Sequence, residues 1–163
     1  MRKLFFSILL MAFVLSLGAC TDGKPLDFGQ LPQNAQTTIT KYFSKEEILL
    51  IHLDKDDLLS EYEVKLKDGT ELEFDRNGAL TKIDCQQKRV PDELSPEEVI
   101  TYVNTRRVPD GLVTEKVLAY VNANHPNAFI TEWSKDDMRW KAELNNGLEL
   151  VFNNNGKFLR YDD

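Results

Sequence analysis

Apolar residues recur every second position along two stretches of the chain. Tyr62, Val64 and Leu66 alternate with Glu61, Glu63 and Lys65, and Leu72 and Phe74 alternate with Glu71, Glu73 and Asp75. That period predicts strands with one buried and one wet face. Asp68-Gly69 and Asn77-Gly78 separate these strands from each other and from Leu80–Ile83, in the manner of tight hairpin turns. Ahead of them, Ile48–Leu53 is an apolar run of strand length. Ala35, Ile39, Tyr42 and Phe43 before that recur at helical spacing, behind start signals at Leu31-Pro32 and Asn34.

The pattern then returns. Val117, Leu118, Tyr120 and Val121 predict a second helix, and Phe129–Trp133 a strand. Trp140, Ala142 and Leu144 alternate with Arg139, Lys141 and Glu143. Asn146-Gly147 and Asn155-Gly156 supply turns around Leu148, Leu150 and Phe152. At an offset of 78 residues, Tyr42 matches Tyr120, Leu66 matches Leu144, and Gly69, Glu71, Leu72 and Phe74 match Gly147, Glu149, Leu150 and Phe152. Asn77-Gly78 and Asp84 match Asn155-Gly156 and Asp162 in the same register. Two tandem helix-plus-meander repeats are therefore expected. They predict an α+β fold, with one antiparallel sheet and the helices packed on one of its faces. A shorter match at offset 18 pairs Val90-Pro91-Asp92 with Val108-Pro109-Asp110. Ser95-Pro96-Glu97-Glu98 is a helix start, so an extra helix is expected over 96–105.

The N-terminus has a different character. Arg2 and Lys3 precede an apolar run from Leu4 to Leu17, which ends in Gly18-Ala19-Cys20. A run of this length falls short of the roughly 20 residues a membrane-spanning helix needs, and fits a secretory leader. Cys20 after Gly-Ala resembles a bacterial lipobox, which implies cleavage before Cys20 and lipidation of its thiol. Thr21, rather than an acid, follows the cysteine, which favours the outer membrane over the inner. The expected organisation is a leader over 1–19, a tether over 20–30 and one domain over 31–163. Within that domain lie a first repeat at 31–85, a linker with the extra helix at 86–107 and a second repeat at 108–163.

Charge narrows the partners. Removing Arg2 and Lys3 with the leader leaves 18 basic and 27 acidic residues, a net charge of −9. Such a surface repels nucleic acid. With Cys20 acylated, Cys85 has no partner for a disulfide and is expected as a buried, inert thiol. His52 and His125 lack metal-ligand spacing. A calcium loop counted from Asp54 has Leu59 where glycine is required and Lys65 where glutamate is required. No cofactor, metal or catalytic constellation is expected. The anticipated partners are the membrane, through the lipid, and a protein or peptide. Trp133 aligns with Lys55, a polar turn position, and so is expected as an exposed aromatic anchor. Arg139, Lys141 and Glu143, which project from the wet side of their strand, would rim it on the solvent face of the sheet.

Several of these features resemble the PepSY-like family of Gram-negative envelope proteins, whose fold is similar to that of β-lactamase inhibitory protein. They are Leu31-Pro32, the helix ending in Tyr42-Phe43, Tyr62–Gly69, Glu71–Asp75 and Asn77-Gly78, followed by Trp140–Leu144, Asn146–Leu150 and Asn155-Gly156. The resemblance implies an exported, non-catalytic binding protein. Inhibition of an envelope peptidase or β-lactamase is one alternative, and a carboxylate-based hydrolase another. The extra helix at 96–105 departs from the family pattern.

Overall fold

The computed structural model describes residues 24–53, 62–86 and 106–162. It contains one antiparallel sheet of nine strands in sequential order. The first half comprises β1 (Lys24–Pro25), α1 (Gln33–Tyr42), β2 (Ile48–Leu53), β3 (Tyr62–Leu66), β4 (Glu71–Phe74) and β5 (Leu80–Asp84). The second comprises α2 (Glu115–Asn124), β6 (Ile130–Asp136), β7 (Arg139–Leu144), β8 (Glu149–Asn153) and β9 (Phe158–Asp162). The fold class is α+β, as expected. The lipobox, Asp54–Asp57 and the extra helix at 96–105 lie outside the described residues.

Each helix buries a narrow stripe against the sheet: Ala35 and Ile39 from α1, Val117 and Val121 from α2. Under them one cross-strand row runs over eight strands: Ile51, Val64, Leu72, Ile83, Trp133, Ala142, Leu150 and Tyr161. All but Tyr161 are buried. Because β5 pairs with β6 through Ile83↔Trp133 and Asp84↔Glu132, the halves share one sheet and one core. The Tyr42 hydroxyl donates to the Gly111 carbonyl at 2.9 Å, a second tie between them.

Two expectations change. The tether is part of the domain from Lys24 onward: Lys24 and Pro25 pair with Leu53 and His52, and Leu26 and Phe28 pack against the core. Apolar side chains spaced along this segment find cover that a solvated tether would deny them. The second change concerns register. Gly78 sits against Pro32, Asn34 and Ala35, and Gly156 against Thr114, Lys116 and Val117. These contacts relate α1 to α2 at an offset of 82, not 78. The first strands obey the same offset, since Ile51 faces Val64 as Trp133 faces Ala142. Eight residues separate the paired Leu53 and Tyr62, but only four separate the paired Lys135 and Trp140. That difference in loop length absorbs the shift, and from there on the offset of 78 holds.

Candidate functional site

The shift of register relocates Trp133. Its counterpart is Ile51, a core residue, and not Lys55. Trp133 is only 2% exposed and stacks on Trp140 with ring centroids 4.7 Å apart. The expected exposed anchor is thus a core side chain on the helix side of the sheet. Arg139, Lys141 and Glu143 project from the opposite, open face of β7, on the same side as Glu132 and Ser134 of β6. The structure therefore keeps these three candidates together and separates Trp133 from them. No Trp, Tyr or Phe projects from the open-face strand positions that are described.

The open face carries something the sequence reading missed. Glu71, Asp84, Glu132, Glu143, Glu149 and Asp162 stand directly opposite one another on six consecutive strands, β4 to β9. Like charges facing each other across strands are destabilising. Cations partly offset the ladder at its ends. Lys65 Nζ lies 2.9 Å from Glu71 and 3.1 Å from Glu63, whose other oxygen is 2.7 Å from His52 Nε2. Lys141 reaches Glu149 and Asp162, and Arg160 also pairs with Asp162. These contacts raise the Lys65 and Lys141 pKa values and lower that of Asp162.

The middle of the ladder is less well compensated. Burial pushes the Glu132 carboxyl above its ordinary value, and the neighbouring Asp84 and Glu143 charges push the same way. Lys82 and a hydrogen bond with Ser134 work against them. Glu132, Ser134, Lys141, Glu143 and Glu149 line a cavity of about 110 Å³ at this point. Among the described residues, no group of three or more His, Cys, Asp or Glu side chains is arranged to hold a metal ion.

Glu132→Gln is accordingly expected to stabilise the fold. Two opposed like-charge contacts would be relieved, worth about 0.5–1 kcal/mol after solvent screening, or roughly 1–4 °C in Tm. A raised folded-state pKa means that the native chain holds this proton more tightly than the unfolded chain does. Stability contributed by Glu132 therefore falls as pH rises from the ordinary carboxyl value through the raised folded-state one. The gain from Glu132→Gln should appear in melts at neutral pH and vanish below the ordinary carboxyl pKa. An unchanged or lower neutral-pH Tm would remove the claim of repulsion.

Comparison with known proteins gives a consistent picture. The family model described as "Putative beta-lactamase-inhibitor-like, PepSY-like" matches residues 20–82, 60–109 and 104–160. A Bacteroides vulgatus protein described as a "putative periplasmic protein" is similar in structure, with a TM-score of 0.70 and 26% identity, over 88% of this chain and 99% of that one. A Bacteroides thetaiotaomicron protein described as a "putative calcium-regulated periplasmic protein" gives 0.70 and 27% identity, over 87% and 98%. A second Bacteroides vulgatus protein, described as a "putative periplasmic protein of unknown function", gives 0.67 and 30% identity, over 84% and 95%. No curated protein matches. Strand order, helix placement and family matches that together span nearly the whole chain lead to one assignment: the protein belongs to the PepSY-like family.

Proposed function

We propose that this chain is a non-catalytic binding module of the bacterial envelope, lipid-anchored at Cys20, that docks a basic protein or peptide segment on the open face of its sheet. The observation that carries this reading is the ladder of six facing carboxylates. A face needed only for solubility gains nothing from opposing like charges across five strand pairs, whereas a cationic partner converts that cost into complementarity and fast association. The described open-face strand positions hold nine carboxylates against five Lys and Arg, so the imbalance favours a basic partner.

The hydrolase alternative finds less support. The cavity at Glu132 is well below the roughly 300–1,000 Å³ usual for small-molecule sites; of two larger ones, that of about 380 Å³ brings in one carboxylate, Glu143, and in that of about 330 Å³ Glu71 is paired with Lys65. Inhibition of an envelope peptidase or β-lactamase would be one outcome of docking, set by which partner carries the basic segment. The test uses an array of extended peptides. Retention should be strongest on Lys- and Arg-rich sequences, weaken with salt, and drop in the Glu132→Gln/Glu143→Gln double variant. Equal retention by that variant would sink the proposal.

The periplasmic relatives and the leader ending in Leu17-Gly18-Ala19-Cys20 support export and anchoring. Several acyl chains on one cysteine hold firmly, since each buried CH₂ contributes about 0.8 kcal/mol. Cys20→Ser should move the protein from the membrane to the soluble fraction and remove the acyl mass. Membrane retention with unchanged mass would contradict lipidation. Outer-membrane placement, which Thr21 favours, belongs to the same proposal. We also attribute the two matched halves to an internal duplication, with the loop between β2 and β3 lengthened in the first.

A further inference from the structure

The two edges of the sheet are built differently. β1 is two residues long and includes Pro25, which has no N–H to offer. It is a poor template for another strand. β9 is five residues long and contains no proline, and its outer side pairs with no described strand. It also exposes Tyr161 (49%) on the helix side, while Arg160 and Asp162 lie on the other face; Leu159 (46%) is exposed at the register irregularity of the strand. Open edges of this kind are normally blunted, because their unpaired N–H and C=O groups recruit further strands.

From this we infer that β9 is a self-association edge, where two copies of the chain pair antiparallel about a two-fold axis at Tyr161. The argument is charge complementarity. Centring the pair on Tyr161 sets Arg160 opposite Asp162 of the second copy, and Asp162 opposite its Arg160. Opposite charges facing across strands stabilise the pair. The arrangement also caps the carboxylate ladder, because Asp162, its last member on β9, gains a cation on its outer side. On the other face Tyr161 meets its own counterpart, next to the aromatic group of Tyr120, Phe158 and His125. Shifting the axis to Arg160 would instead set two arginines against each other. Because a two-fold pairing uses the same edge of both copies, the assembly closes as a dimer.

Directly opposite residues in an antiparallel pair have Cα atoms about 4.5–5.5 Å apart, within the range a disulfide can bridge. Tyr161→Cys, introduced into the full chain and exported in its own host, should therefore form a disulfide-linked dimer on mild oxidation. Arg160→Cys should do so far less. The second readout is charge. Arg160→Asp alone and Asp162→Arg alone should each weaken association by about tenfold or more, since like charges replace two opposite-charge pairs. The double variant Arg160→Asp/Asp162→Arg should restore it. A monomer at every concentration would overturn the inference. So would a crosslink strongest at Arg160→Cys, or a double variant as weak as the single ones. Because β9 pairing is read by mass and crosslinking alone, this result is independent of whether the open face binds basic peptides.

Discussion

Trp133→Ala should cost about 3–5 kcal/mol of stability, the range for removing a buried Trp side chain. Trp133 lies between Ile83 and Ala142 in the row that crosses the whole sheet, stacks on Trp140 and approaches Phe152 with centroids 6.4 Å apart. It is also one of the side chains through which β5 of the first half meets β6 of the second. A domain of ordinary stability has 5–15 kcal/mol to lose, so the variant should be on the edge of unfolding at growth temperature. Urea unfolding should show a lowered midpoint with little change in slope. Trp140→Ala should cost less, because Trp140 is only half-buried. A loss at Trp133 below about 1 kcal/mol would return it to the exposed role its apparent alignment with Lys55 suggested.

The second large effect is expected at Gly78. All four hairpin glycines, Gly69, Gly78, Gly147 and Gly156, have positive φ, between 74° and 92°. A side chain at any of them therefore carries the left-handed penalty of about 1–2 kcal/mol. What distinguishes Gly78 is space: a Cβ there would lie 2.7 Å from Pro32 Cβ and 2.8 Å from the Ala35 backbone nitrogen. The turn between β4 and β5 rests directly on the N-terminal end of α1, held by a hydrogen bond from Asn34 Nδ2 to the Asn77 carbonyl at 3.1 Å. A β-carbon there must push the helix off the sheet, at about 1–3 kcal/mol more. At Gly147, with φ 81°, nothing lies within 4 Å. Comparing Gly78→Ala with Gly147→Ala cancels the conformational part and leaves the packing part. The two melts should differ, with Gly78→Ala the lower. Equal Tm values would mean that the helix does not press on the turn.

Strands and turns were readable because their signals are local. The alternation in Tyr62–Leu66 and Trp140–Leu144 placed β3 and β7, and the Asp-Gly and Asn-Gly pairs marked hairpins whose glycines do have positive φ. The helix register was not readable, for a definite reason. The two candidate offsets, 78 and 82, differ by four residues, close to the 3.6 of one helical turn. An amphipathic helix fits either offset almost equally well, and the coincidence of Tyr42 with Tyr120 made the gapless one attractive. The contacts of Gly78 and Gly156, the helix bounds and the pairing of the first strands separate them. The misplacement of Trp133 followed from that ambiguity. The open face was partly legible, since Glu71, Arg139, Lys141 and Glu143 were expected to face solvent. Its carboxylate ladder was not, because the step from Asp84 to Glu132 depends on β5 pairing with β6 across the two halves, which no local pattern encodes.

The most direct test of the docking face is site-specific photocrosslinking of the anchored protein in living cells. A photoreactive side chain at Ser134, between Lys82 and Lys141 on the open face, is compared with one at Thr37 or Asn122, which are exposed on the helix layer. The account predicts a discrete adduct from Ser134 that disappears in the Glu132→Gln/Glu143→Gln background, and none from the helix positions. A discrete adduct from Thr37 or Asn122, with Ser134 silent, would contradict it.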